Sequence, residues 1–204
     1  LDSGWTIHLS LQCPDGFRVK IGENMKPTAR NWLLLLLTIA IVLVIDQLTK
    51  GWIVQNIAPG ESRQPIAALS DFFQITRSAN TGAAFGLFAQ SGDIFLVIAV
   101  VVVAAMFYFY PRLPVEAGFT RIAIGLICGG ALGNALDRLQ YGHVVDFIHY
   151  HIPGVISNVS NLADHAIVLG VIIVLIDGWR LDQSEQAAAE NGTNTGHNNS
   201  ETPL

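Results

Sequence analysis

The stretch Trp32–Thr49, WLLLLLTIAIVLVIDQLT, decides the fold class of this 204-residue chain. A run of about 17–25 mostly apolar residues is long enough to cross the hydrocarbon core of a bilayer as a helix. Lys26 and Arg30 precede the run, as basic residues precede a cleaved signal peptide, but no small-x-small cleavage site follows it. We therefore predict that Trp32–Thr49 is a retained transmembrane helix.

Three further apolar runs have nearly the same length. They are Ile94–Tyr110, Ile122–Leu136 (extended to Arg138) and Leu162–Trp179. The composition agrees, because 51% of the residues are hydrophobic, only 13% are charged and the mean hydropathy is +0.45. A soluble domain carries about 25% charged residues. The sequence therefore predicts an all-α membrane protein with four transmembrane helices, at about 32–49, 94–110, 122–138 and 162–179.

The distribution of lysine and arginine predicts that both termini are cytoplasmic. With the N-terminus inside, seven basic residues lie on the cytoplasmic side and four lie outside, namely Lys50, Arg63, Arg77 and Arg138. No block of basic residues is present, so no nucleic-acid partner is expected.

The segments outside the spans divide into two flanks and two long outer loops. Residues 1–24 are polar and precede a Met25-Lys26-Pro27 that is typical of a natural start, so this leader is predicted to be non-native or an alternative start. Residues 25–180 are predicted to form the membrane domain, and 181–204 a disordered cytoplasmic tail. In the outer loops, 72–76 and 144–148 have the pattern of strands, and Pro59-Gly60 that of a turn.

The third span contains Gly125, Gly129 and Gly133, a doubled G-x-x-x-G pattern. Small residues four positions apart allow helix backbones to approach closely in lipid. The pattern predicts a tightly packed bundle and no chemistry. The two cysteines, Cys13 and Cys128, have neither metal-binding spacing nor an environment that favours a disulfide.

Polar residues of the predicted spans and outer loops collect at one depth, near the outer surface of the membrane. They are Asp46, Lys50, Asn80, Asn134, Asp137, Arg138, Asp146, Asn161 and Asp164. Ionisable residues in a membrane are expensive and mark functional sites by default. A proton or cation path would continue polar residues through the bilayer, whereas the cytoplasmic halves of these spans are almost purely apolar. The asymmetry therefore favours an outer-surface site over a transporter, channel subunit or structural scaffold.

Several of these residues have two readings at the level of sequence. Asp46 and Lys50, spaced i, i+4, are either an ion pair at a helix end or direct substrate contacts. Asp137 with Arg138 is typical of an anchor for the third helix, although an arginine can also grip carbonyl or ester oxygens of a substrate. The asparagines can orient a substrate or satisfy exposed backbone groups.

Peptide hydrolysis needs an activated water and a proton for the leaving amine, and two aspartates can supply both. Like charges about 3 Å apart cannot both ionise, so one carboxyl keeps its proton near neutrality. The sequence contains no Gly-x-Ser-x-Gly, and Cys128, the cysteine within a predicted span, has no histidine near it in the sequence. A zinc site built from His143, His149, His151 and His165 is the remaining alternative, but no His-Glu-x-x-His pattern occurs. We therefore expect no metal and no cofactor.

Five motifs in order resemble the bacterial lipoprotein signal peptidase (signal peptidase II) family over about residues 30–180. They are Asp46-Gln47-x-x-Lys50, Asn80-x-Gly82-Ala83-Ala84-Phe85, Gly129-Gly130-Ala131-x-Gly133-Asn134-x-x-Asp137-Arg138, Gly142-x-Val144-Val145-Asp146-Phe147 and Asn161-x-Ala163-Asp164. The resemblance implies a bacterial inner-membrane aspartic endopeptidase that cleaves diacylglyceryl-modified prolipoproteins just before the lipidated cysteine. It also implies an extracytoplasmic β-cradle formed by the two outer loops, and inhibition by globomycin.

The same resemblance assigns roles by matching positions. Asp146 and Asp164 take the catalytic roles, and supporting or substrate-binding roles go to Asp46, Lys50, Asn80, Asn134, Arg138 and Asn161. The chain departs from the family at Ser160, where an aromatic residue is usual, and has His165 after the second aspartate. A protonated His165 is expected to favour the ionised form of Asp164.

Overall fold

The computed structural model describes residues 27–82, 92–113, 118–152 and 154–197. The polar leader and the Ala83–Phe85 portion of the second motif lie outside the described residues. The helices are α1 (Ala29–Asn56), α2 (Gly92–Phe109), α3 (Gly118–Tyr141) and α4 (Leu162–His197). The strands are β1 (Ser62–Arg63), β2 (Phe73–Asn80), β3 (Val144–Ile152) and β4 (Ile156–Ser160).

Within the part of the chain that is described, four helices are long and apolar enough to cross a membrane. This confirms the predicted number of spans and their order. Helices α1 and α3 extend beyond both ends of their apolar runs, and α4 extends beyond the C-terminal end of its run, because the run marks the lipid-facing length while backbone hydrogen bonding continues past it. Helix α2 ends at Phe109, one residue before the end of its run. Thr28 caps α1 by accepting a hydrogen bond from Asn31 N–H, and the other end of α1 extends seven residues beyond Thr49.

Helix α3 lies at the centre and packs against the other three helices. An added Cβ at Gly125 or Gly129 would lie 2.7–2.8 Å from side-chain atoms of Thr38 or Val42 on α1. At Gly130 it would lie 2.4 Å from the Ala163 carbonyl oxygen of α4. The glycines therefore let α1 and α4 approach the α3 backbone, which confirms the predicted tight packing.

The four strands form one antiparallel sheet in the order β1-β2-β3-β4. Val145 and Phe147 of β3 pack against Ile53 and Ile57, at and just beyond the extended end of α1. These apolar contacts fix the sheet to one end of the bundle, which we call the sheet end. The β2–β3 register shifts between Ile75 and Ser78, so that Ser78 lies opposite Asp146.

Helix α4 continues to His197 and so includes residues 181–197 of the segment for which the sequence predicts a disordered tail. The local sequence LDQSEQAAAE at 181–190 contains mainly good helix formers. Gln186 also donates a hydrogen bond to Asp182 one turn earlier, at 2.9 Å. Polar composition alone therefore did not distinguish a solvated helix from a disordered segment.

Candidate active site

Asp146 is the third residue of β3 and its side chain is buried. Both carboxylate oxygens accept hydrogen bonds from side-chain amides. Asn80 Nδ2 donates to Oδ2 at 2.9 Å, and Asn161 Nδ2 donates to Oδ1 at 2.6 Å. The Asn80 amide is itself oriented, because its Oδ1 accepts from Gly82 N–H at 2.9 Å. Two amides therefore fix the plane of the Asp146 carboxyl group.

Only glycine fits at position 82, two residues after Asn80, the last residue of β2. Its φ is +83°, a conformation that side chains disfavour, and an added Cβ would lie 2.4 Å from the Phe95 ring. Gly82 therefore allows the turn that aims its N–H at Asn80.

Asp164 lies in the first turn of α4, three residues after Asn161. Asn161 caps the helix, since its Oδ1 accepts from Asp164 N–H at 2.9 Å. Asp164 Oδ1 accepts from Asn134 Nδ2 of α3 at 2.7 Å. A carboxylate in this position is also favoured by the N-terminal end of the helix dipole. The cap and the α3 amide together orient Asp164.

Asn161 connects the two aspartates. Its Nδ2 donates to Asp146 and also to Asn134 Oδ1 at 3.2 Å, while its Oδ1 holds the Asp164 backbone. The structure therefore brings Asp146, Asp164, Asn80, Asn134 and Asn161 into one hydrogen-bonded network.

Lys50 lies beneath this network with its side chain 2% exposed. Its ammonium group contacts Asp46 Oδ2 at 2.8 Å, Asp137 Oδ2 at 2.8 Å and Asn134 Oδ1 at 2.9 Å. An ammonium group has three donors, and these three acceptors use them all. Asp46 is also fully buried. Of the two readings of Asp46 and Lys50, the geometry supports the ion pair.

Sequence reasoning missed the part played by Gln47 and placed Asp137 with the wrong partner. Gln47 Nε2 donates to Asp137 Oδ1 at 2.9 Å and also approaches Asp46 Oδ2 at 3.3 Å. Asp137 was predicted to anchor α3 with Arg138, but its side chain contacts Lys50 and the backbone of β3 instead. A signal was available, because Asp137 follows Asn134 by three positions and so shares its helix face.

Arg138 is half-buried on α3. Its Nη1 donates to the Asn134 carbonyl oxygen at 3.2 Å, and its guanidinium lies 5.2 Å from the centre of the Phe95 ring. Its Nε is buried and has no hydrogen-bond partner among the described residues. Within the described part of the chain, Arg138 therefore has one donor without an acceptor.

A groove of about 480 Å³ begins at the polar network and continues along α4. Asn80, Asp164 and Tyr150 line its polar end. Its apolar wall contains Val168, Leu169 and Ile172 of α4. Since these three side chains are 46–56% exposed and belong to an apolar span, the groove opens toward the lipid-facing surface of the helix.

The histidines near the aspartates have partners other than a metal. His149 lies between Thr76 Oγ1 at 3.1 Å and Ser157 Oγ at 2.9 Å. His165 lies between the Asn161 carbonyl oxygen at 2.6 Å and Tyr150 OH at 3.0 Å. Among the described residues, no three His, Cys, Asp or Glu side chains are placed to hold a metal ion.

Burial raises the pKa of Asp146 from its ordinary value of 3.8 to about 6. Hydrogen bonds from Asn80 and Asn161 oppose this shift, and the charge of Asp164 adds to it. Because the folded protein binds this proton more tightly than the unfolded chain, stability falls as the pH rises from about 4 to about 6 and remains lower above that range. A carboxyl with this pKa keeps its proton much closer to neutrality than an ordinary aspartate does.

Asp146→Asn is therefore expected to raise stability at pH 8. It removes a penalty of about 3 kcal/mol for ionising the buried carboxyl and loses one amide hydrogen bond worth about 1 kcal/mol. Thermal unfolding in detergent, measured at pH 8 and pH 4, checks the result. At pH 4 the penalty is absent, so the gain should disappear. A stability gain that is equal at both pH values would contradict this account.

Four apolar helices, with two amide-oriented aspartates where a sheet meets the bundle, are the parts of a membrane-embedded aspartic peptidase. A family model described as signal peptidase (SPase) II matches residues 38–180. The chain belongs to this family. It is therefore a multi-pass membrane hydrolase of the kind that removes signal peptides from prolipoproteins.

The chain is similar to lipoprotein signal peptidases of several bacteria. It is 42% identical to that of Moorella thermoacetica over 146 residues, which cover 72% of this chain and 91% of that protein. It is 39% identical to that of Mesorhizobium japonicum over 159 residues, covering 76% and 92%. A solved bacterial membrane enzyme, determined by the in meso method at 2.3 Å resolution, aligns with a TM-score of 0.67 and 32% identity, covering 80% and 96%. The resemblance identified from the five motifs is confirmed.

Proposed function

We propose that this peptidase cleaves diacylglyceryl-modified prolipoproteins on the N-terminal side of the lipidated cysteine, with Asp146 and Asp164 as the catalytic pair. One observation carries the proposal: a groove with apolar walls on the lipid-facing side of α4 ends at Asp164. A substrate with acyl chains in the bilayer and a scissile bond above them matches this arrangement, in which an apolar wall leads to a catalytic carboxyl group.

Asp164 acts as the base and Asp146 as the acid. Asp164 takes a proton from water while the water oxygen attacks the scissile carbonyl carbon, and Asp146 gives its proton to the carbonyl oxygen. The resulting tetrahedral intermediate breaks its C–N bond as Asp164 returns a proton to the departing nitrogen, which becomes the amino group of the lipidated cysteine. At the same time Asp146 takes back a proton from one hydroxyl of the intermediate, so that the carbonyl re-forms as a carboxylic acid and both aspartates regain their starting protonation. The raised pKa of Asp146 supports the acid role.

Arg138 and Asn80 bind the substrate near the pair, whereas Asn134 and Asn161 support the two aspartates. The guanidinium group of Arg138, which is half-buried, can donate to a carbonyl or ester oxygen of the substrate. Asn80 lines the groove and holds Asp146, so it couples substrate position to the orientation of that carboxyl group.

The sheet end faces the extracytoplasmic side of a bacterial inner membrane, and both termini are cytoplasmic. The larger number of lysines and arginines at the opposite end supports this orientation. The four-stranded sheet then forms the cradle above the bilayer, and a globomycin-type cyclic peptide is expected to bind at the aspartate pair.

Leu169→Trp tests the position of the lipid. The added ring fills part of the groove, so KM for a diacylglyceryl-modified precursor should rise about 10-fold while kcat changes little. The assay is cleavage by purified protein, with the product identified by mass as beginning at the lipidated cysteine.

Leu175→Trp is the matched control, because Leu175 is an exposed leucine of the same helix that does not line the groove. It should leave KM within about twofold of the wild-type value. Equal KM values for the two variants would place the lipid elsewhere, and no cleavage by the wild type would overturn the proposed function.

A further inference from the structure

Two buried carboxylates each accept a hydrogen bond from the backbone N–H of the residue that precedes one aspartate of the pair. Asp46 Oδ1 accepts a hydrogen bond from Ala163 N–H at 3.0 Å, and Ala163 precedes Asp164. Asp137 Oδ2 accepts from Val145 N–H at 3.0 Å, and Val145 precedes Asp146. The start of α4 and the start of β3 are therefore fixed by equivalent contacts to two different helices.

Lys50 joins these two carboxylates into one unit. It lies 2.8 Å from each of them, and its third donor reaches Asn134, which donates to Asp164. Gln47 Nε2 is also shared between Asp46 and Asp137. Asp46, Lys50 and Asp137 are all buried, and none of them lines the groove.

We infer that Asp46, Lys50 and Asp137 form a positioning triad that sets the separation and orientation of Asp146 and Asp164. The inference rests on the proposed function, in which those two aspartates act together on one peptide bond. The triad touches no substrate. It acts by holding β3 and α4 in register relative to α1 and α3.

The triad requires acceptor-only carboxylates and a point charge. Asp137 accepts from Lys50, Gln47 and Val145 N–H, so an amide at this position would direct its NH₂ group at a donor. The rate of the chemical step is sensitive to such changes, because moving a reacting group by about 1 Å lowers that rate about 100-fold.

Gly133→Ala displaces one member of the triad without changing any charge. An added Cβ would lie 2.5 Å from Asp46 Oδ2, the oxygen that contacts Lys50. The carboxylate must move, and Ala163 moves with it. We expect kcat on a lipidated precursor to fall about 100-fold, with KM within about twofold of the wild-type value.

Gly125→Ala is the matched control on the same face of α3. Its Cβ would lie 2.7 Å from the Thr38 side chain, so it is similarly crowded but is two turns away from the triad. Thermal unfolding gives the fraction of each variant that is folded, and kcat is calculated per folded molecule. Gly125→Ala should destabilise to a similar degree and keep kcat within about twofold of wild type.

The outcomes separate the positioning role from the proposed function. If Gly133→Ala and Gly125→Ala lower kcat equally, or if neither lowers it, the triad does not position the pair. If Gly133→Ala does not fold, Gln47→Met tests the triad instead, because it removes the amide shared by Asp46 and Asp137 without adding bulk. A fall in kcat of about 10-fold would support the positioning role of the triad. An unchanged kcat would overturn it. If the wild type itself does not cleave, the proposed function fails instead.

Discussion

Asp164→Asn is expected to lower kcat on a lipidated precursor by about 10⁴-fold, and Asp146→Asn by a similar factor. An asparagine at position 164 cannot take the proton of the attacking water, and one at position 146 cannot give a proton to the carbonyl oxygen. Either loss leaves the other carboxyl without the group it works with. Single-turnover cleavage measures the chemical step without interference from product release.

The combined variant shows whether the two aspartates act as a unit. Asp146→Asn with Asp164→Asn should be no slower than either single variant, because removing one member already disables the pair. Asp71→Asn is the control, since Asp71 is an exposed carboxylate next to the sheet and should cleave at the wild-type rate. Wild-type cleavage by either single variant would exclude the proposed mechanism.

A precursor that lacks the diacylglyceryl group is expected to be cleaved with a kcat/KM about 10³-fold lower. Acyl chains gain little on moving from the bilayer to an apolar groove, so the lipid contributes mainly by placing the scissile bond. Chains lying against Val168, Leu169 and Ile172 hold the adjacent cysteine at the depth of Asp164. A bare precursor samples many depths.

The comparison needs both precursors in the same bilayer at the same surface density. A precursor with a single acyl chain on the cysteine should give an intermediate rate, because half of the groove contacts remain. Equal kcat/KM for the lipidated and bare precursors would show that the groove is not the lipid site.

The sequence predicted the spans well because side chains that face lipid must be apolar over the whole thickness of the bilayer core. It predicted helix ends poorly, since these depend on contacts outside the bilayer. The extension of α1 to Asn56 is supported by the sheet, whose Val145 and Phe147 cover Ile53 and Ile57. No periodicity within α1 indicates that support.

The sequence indicates which polar residues belong near the candidate site, but not which hydrogen bonds join them. Asn80 and Asp146 are 66 positions apart, and they meet through a shifted β2–β3 register that the strand patterns do not specify. The family motifs, and not the topology, distinguish Asp146 and Asp164 as the candidate catalytic pair from the other aspartates at this depth. The contacts of Asp46 and Asp137 with the two backbones could not be predicted, because backbone acceptors and donors leave no mark on the sequence.

The central place of α3 also affects how the protein enters the membrane during synthesis. Of the four described spans, α3 is the least apolar and the most enclosed by protein, so it gains least from lipid alone. Spans leave the ribosome in chain order, and α1 with Lys50 is already present when α3 arrives. Lys50 offers Asp137 an immediate counter-charge in a medium that penalises a lone one. We therefore expect the first helix to act as an insertion partner for the third.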